Sequence, residues 1–184
     1  GGSERNIDGS LQAASAFNVL GAGPAGGLTN GINNNQVGFN ALLGSLANYG
    51  GLTPTLPLLP GSIAINAGTN VSAPANDQRG IARVGVTDIG AFESRGFNMA
   101  LTGGDAQTAV ISTPFGNPLV ATVTAIAPGE PVQGGRVTFT PPGAGASAAI
   151  ATSPATINAS GVASVNATAN ATVGSYAVAA SSAG

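Results

Sequence analysis

Glycine and proline interrupt this chain too often for long regular elements to form. Its 184 residues include 29 Gly and 12 Pro, which mark frequent turns. Between residues 7 and 39, short apolar pieces alternate with Gly and Asn, as in FNVLGAGPAGGLTNGINNNQVGF. No stretch there sustains the 3.6-residue apolar period of a helix. Short strands joined by tight turns are expected instead. Asn33, Asn34 and Asn35 suit bends between them, because Asn tolerates left-handed backbone and bonds neighbouring backbone groups; the same side chains can stack between coils of a solenoid.

Hydrophobic residues make up 43% of the chain but aromatics only 4%, so any core is built from Ala, Val, Ile and Leu, which suits stacked strands. Charged residues are 7%, against roughly 25% in an ordinary soluble domain. The remaining surface of Asn, Thr, Ser, Gln, Gly and Ala is extracellular in style. A net charge of −2 with scattered Arg offers no footprint for phosphates, which sets aside nucleic acid and anionic membranes as partners. Apolar runs are too short for a membrane span. The absence of Cys excludes disulfides and thiolate chemistry, leaving burial and backbone pairing to stabilise the fold. The polar, repeat-like opening and the end at AVAASSAG, directly after a strand pattern, are those expected of a piece of a longer protein.

Two domains are expected, 1–95 and 96–184. In the first, Gly21 to Gly26 match G-x-G-x-x-G, but Pro24 and the following AGGLTNG forbid the helix a dinucleotide turn requires. From Asn40 the pattern changes to LLGSLANYGG, a helical turn or short loop with Leu42, Leu43 and Leu46 on one side. In TPTLPLLPGS, Pro54, Pro57 and Pro60 remove backbone donors and hold the chain extended, so the segment is expected to run over a surface. SIAINAG reads as a short strand with Ile63 and Ile65 on one face, and GVTDIGAFE as a closing strand.

The ordered series LLGSLANYGG, LPGSIAINAG, NDQRGIARV and VTDIGAFE, within residues 18 to 93, closely resembles the C-terminal signature of bacterial right-handed parallel β-helix proteins of the choice-of-anchor Q type. That resemblance implies the last one or two coils and the cap of a solenoid, belonging to a large exported protein. Independently of it, a stack of parallel coils ends in unpaired backbone groups that an atypical terminal unit must cover. Structural ion pairing in the cap is assigned to Asp77, Arg79, Asp88 and Glu93, with Arg79 expected to tie to Asp88 by a charge-assisted hydrogen bond.

SRGFN, residues 94–98, reads as a connector. Beyond it about seven strands are expected: QTAVIST, LVATVTAI, GRVTFT, SAAIAT, ATIN, GVASVNATA and GSYAVAAS, separated by Gly- and Pro-containing turns. Phe139 and Tyr176 are the expected large inward anchors. Residues 98–184 look like the tandem bacterial Ig-like repeats of surface proteins and adhesins; where those repeats often carry D-x-x-G-N-P at a turn, this chain has APGEP. The fold class expected is therefore all-β, with the terminal coils and cap of a right-handed parallel β-helix followed by an Ig-like antiparallel β-sandwich.

Without His or Cys, carboxylates, Arg, Ser or Tyr are left to carry catalysis, and the serious candidate is the cluster Asp77, Asp88 and Glu93, since glycoside hydrolysis needs two carboxyl groups. Asp8, Asp105 and Glu130 are oxygen ligands of the kind calcium takes, but no loop has EF-hand spacing, so no metal and no cofactor is assigned. N-x-S/T sequons begin at Asn70, Asn158, Asn166 and Asn170 and fit ordinary turn polarity. The expected function is a non-enzymatic stalk module of an exported or cell-surface bacterial protein. Its expected partners are neighbouring domains of the parent chain and further copies of itself in fibres. The alternative is a carbohydrate-binding or carbohydrate-degrading β-helix with glycan partners, using Tyr49 or Asp88.

Overall fold

A computed structural model describes Ile7 and residues 9–184. The described chain is all-β, and its one helical element is a single 3₁₀ turn, Ile32–Asn34. No helix among the described residues is long and apolar enough to cross a membrane. The chain divides into two compact units: residues 1–58, 62–95 and 183–184 form the first, and residues 59–61 with 96–182 the second.

The first unit contains little regular structure. Its only strands among the described residues are β1, Val19–Leu20, and β2, Gln36–Val37, which pair in parallel. The bend between them uses left-handed Asn33 and Asn34, with φ of 52° and 57°. Asn35 is buried, and its Oδ1 accepts the Asn18 backbone N–H at 3.1 Å and the Asn18 Nδ2–H at 2.8 Å. Its own Nδ2 donates to the Ser15 carbonyl at 2.8 Å. One amide side chain thus satisfies backbone and side chain of the preceding turn of chain, which lies 17 residues away in sequence. After Gly21–Gly26 comes a turn rather than a helix, and a Cβ on Gly26 would lie 2.8 Å from Ile7 Cγ2, so this glycine serves close packing.

From residue 39 to residue 95 the backbone forms turns and isolated bridges, Leu43 with Leu58, Ala47 with Thr55 and Asn76 with Ala82. SIAINAG and GVTDIGAFE are therefore not strands. The Ser62 hydroxyl caps a turn through Ile63–Asn66, donating to the Ala41 carbonyl and accepting the Ala64 N–H. Leu43 and Leu46 are exposed rather than packed on one side. Pro57 and Pro60 are fully buried, not spread over a surface: a proline interior to the fold leaves no N–H to satisfy.

In the second unit, β3 (Phe97–Gly103), β4 (Leu119–Ala125) and β8 (Val162–Val165) form one antiparallel sheet in the order β3-β4-β8. β5 (Arg136–Thr140), β7 (Ala155–Thr156) and β10 (Ala179–Ser181) form another in the order β10-β5-β7. β6 (Ala148–Ile150) pairs with β9 (Ala167–Ala169). Alternate residues of the two larger sheets, Ala121, Val123, Ala163 and Val165 against Val137, Phe139 and Ala155, meet in one aliphatic core with Ile157. The Pro60 carbonyl, in the segment 59–61, accepts the Arg136 N–H at 2.8 Å.

Two expected strands are redrawn and one unexpected strand is added. QTAVIST is a loop, with Val110 and Ile111 exposed and Ser112 left-handed at φ 59°; the Gln107 side chain holds it by bonding Gly104 and Asn117 backbone groups. The first strand is instead β3, which begins inside the supposed connector. GVASVNATA splits at Asn166 into β8 and β9, which pair with different strands. Phe139 lies in the core, whereas Tyr176 is half-buried outside it and meets Phe115 edge-on at 6.4 Å.

Candidate functional site

The charged residues between 77 and 93 converge inside the first unit. Asp77, Arg79, Asp88 and Glu93 are all buried, Glu93 to 1% exposure, and Arg83 joins them. Residues 64–68, 75–84 and 87–94 carry no strands; isolated backbone bonds such as Gly68 N–H to Thr87 and Ile89 N–H to Ala64 link them in part, and other backbone groups find partners in this cluster.

Asp77 opens the turn NDQRG. Its Oδ1 accepts the N–H groups of Arg79 at 2.8 Å and Ile81 at 3.2 Å, the local bonding for which Asp is favoured in turns. Its Oδ2 accepts Arg79 Nε–H at 2.8 Å and the Glu93 N–H at 3.0 Å. Arg79 Nη2 lies 2.7 Å from Asp77 Oδ2 and donates to the Glu93 carbonyl at 2.7 Å. The guanidinium lies over the Phe92 ring, 3.5 Å from its centroid, and Tyr49 meets that ring edge-on at 6.0 Å. The Tyr49 hydroxyl donates to the Ser45 carbonyl. A Cβ on Gly51 would come 2.6 Å from Arg79 Cα, so only glycine fits there.

Glu93 is the second centre. Its Oε2 accepts Arg83 Nη1–H at 2.8 Å and the Asp88 N–H at 3.0 Å, and its Oε1 accepts the Val84 N–H at 3.0 Å. Arg83 Nη2 donates to the Gly90 carbonyl. Asp88 bonds backbone alone: Oδ1 accepts Asn66 N–H at 2.6 Å and Oδ2 accepts Ser94 N–H at 2.7 Å. The expected Arg79–Asp88 tie is thus replaced by two pairs, Arg79 with Asp77 and Arg83 with Glu93. Arg79 reaches the carboxylate its own turn presents and Arg83 one ten residues on, while Asp88 closes the returning chain through N–H donors that no sequence pattern identifies.

Burial pushes the Asp88 carboxyl up to about 6, with the Glu93 charge adding to the rise and the two N–H donors opposing it. For Asp77, burial also raises the pKa. The Glu93 N–H, the Arg79 side chain and the Ile81 N–H together outweigh burial, and hold it below the ordinary carboxylate value.

The geometry leaves little for catalysis. Every oxygen of Asp77, Asp88 and Glu93 accepts a donor from the chain itself. Asp88 is 3% exposed, which keeps its oxygens from a substrate. Among the described residues no three acidic side chains converge to hold a metal ion; Asp105 is exposed and Glu130 buried, and Asp8 lies outside the described residues. The sequence assigns Asp77, Arg79, Asp88 and Glu93 but gives Arg83 no role, although its place ten residues before Glu93 is visible; Asn35 is named for bends or stacking between coils, but its partner Asn18, distant in sequence, is not. Compared with known protein families, curated proteins and solved structures, the chain matches none.

Proposed function

We propose that this chain is a structural module, in which the first unit closes the end of a parallel β-helix and the second is an Ig-like sandwich extending it. The observation that carries the reading is the saturation of the ionic cluster, whose carboxylates are spent on tying strandless segments together. The parallel β1–β2 pair and the Asn18–Asn35 contact between successive turns of chain support a coil ending there. The paired sheets of the second unit, with their shared aliphatic core, support the sandwich. Aliphatic packing and an uncharged Asn- and Thr-rich exterior suit a stalk in an exported or cell-surface bacterial protein, outside the cell and without enzymatic activity.

A carbohydrate-binding reading would need an aromatic platform and free carboxylates. Tyr49 is engaged with Phe92 and Ser45, and the carboxylates are occupied, which favours the structural reading. The test is titration of the full chain with plant and bacterial polysaccharides, beside unfolding of Tyr49→Ala and Asp88→Ala. Loss of folding without any glycan binding by the parent chain is expected. Saturable glycan binding, abolished by either change in a folded variant, would overturn the structural reading.

A further inference from the structure

The longest free strand edge in the described chain belongs to β3. It is the outer strand of the sheet β3-β4-β8 and carries FNMALTG, with no charge and no proline. Natural edges are blunted by short length, charge, proline or bulges. β3 has seven residues, and its one irregularity falls after Leu101, so residues 97–101 are unprotected.

The hydrogen-bond phase of this edge is fixed. Ile126 N–H donates to the Gly96 carbonyl, and Val123 N–H turns away to Gly161. Bonded and non-bonded pairs alternate along an antiparallel ladder. With the register Phe97↔Ala125 to Leu101↔Ala121, Asn98 and Ala100 bond β4, while Phe97, Met99 and Leu101 direct N–H and C=O outward. The same three residues lie on the core side of the sheet, opposite Ala125, Val123 and Ala121. Val123 and Ala121 are buried to 1% and 0%, yet Met99 is 38% and Leu101 63% exposed. β3 therefore overhangs the core, presenting open backbone and an apolar row together.

We propose that β3 pairs antiparallel with β3 of a second copy of this chain, about a two-fold axis through Met99. In that register Met99 faces its own mate, and Phe97 of each copy faces Leu101 of the other. Every outward backbone group from 97 to 101 is paired, and pairing stops short of the irregularity. Asn98 and Ala100 oppose one another on the other face. The absence of charge removes the like-charge repulsion that two-fold pairing would place across the axis, and such an interface closes on itself as a dimer rather than a fibre. One strand's width of contact is small for a stable interface, so the dimer is weak and concentration-dependent. The inference rests on the second unit alone and does not need the structural-module reading, which fails on glycan binding and not on oligomeric state.

Sedimentation of the full chain across its soluble concentration range tests it. A monomer–dimer equilibrium is expected. Met99→Pro removes only an outward N–H, which an edge strand tolerates, and Leu101→Lys places charge on the exposed row; both are expected to leave a monomer with unchanged circular dichroism. Because the chain has no Cys, Met99→Cys is expected to form a disulfide dimer on air oxidation, and Asn98→Cys is not. A monomer at every concentration, an open series of oligomers, or a dimer indifferent to Leu101→Lys would each overturn the proposal.

Discussion

The two units order a Gly-rich, charge-poor chain by opposite means. Among its described residues the first has two strands of two residues each, and its segments are joined through buried carboxylates, guanidinium groups and Asn side chains. The second has eight strands, and its central cluster contains only Ala, Val, Ile and Phe. Where backbone can pair with backbone, small apolar side chains suffice to hold sheets together. Where it cannot, each stranded N–H or C=O needs a side-chain partner, and one charged side chain serving several segments is the economical solution.

The sharpest way to break the contrast is to remove one partner of a buried pair. Arg79→Ala leaves Asp77 charged and buried, and is expected to destabilise the first unit by about 3–5 kcal/mol. Hydrogen exchange would show loss of protection in residues 64–94 with the second unit's strands still protected; equal loss in both would erase the distinction. Its counterpart, Phe139→Ala, opens a cavity in the shared core and is expected to cost the second unit about 3–5 kcal/mol, read from its own exchange protection.

Titration separates the units further, since the described carboxylates with shifted pKa both lie in the first. Asp88 is raised from 3.8 to about 6, so its contribution is fully present below pH 3.8 and is lost as pH rises through 6. It amounts to at most about 3 kcal/mol at 1.36 kcal/mol per unit, less what solvent screens. Asp77 is lowered, so its contribution is present above pH 3.8 and lost as pH falls through its folded value. The windows do not overlap, and the first unit is expected to be most stable near pH 4. Thermal melting between pH 2 and 8 checks this, and Asp88→Asn should flatten the upper limb. The smallest effect is expected from Asn35→Ala, which strands the Asn18 N–H and the Ser15 carbonyl at about 1–3 kcal/mol; an unchanged melting midpoint would mean that water replaces the amide.

Much of this architecture is legible in the sequence because period-two alternation is local. Val137 and Phe139 alternate with Arg136, Thr138 and Thr140 wherever they are placed, and the all-β class follows. The concentration of Asp77, Arg79, Asp88 and Glu93 in one short stretch likewise announced a cluster. β3 escaped notice because its alternation begins within SRGFN and runs into Gly103-Gly104. QTAVIST is as rich in β-branched residues, but a strand exists only where a neighbour accepts its hydrogen bonds in sequence, and here the backbone turns on itself, Thr113 N–H donating to the Val110 carbonyl.

What the sequence determined by itself is therefore composition and local conformation: an all-β chain, turns at Gly and Asn, an aliphatic core, and five of its twelve charges gathered between residues 77 and 93. Only the tertiary structure decided partners. Which carboxylate Arg79 meets, that Asp88 closes the chain through Asn66 and Ser94, that Pro57 and Pro60 are buried, and that β3 is left with an open edge all depend on groups distant in sequence. Hydrogen bonds and burial are relations between residues, and a single residue's chemistry specifies what it can bond but not what stands opposite it.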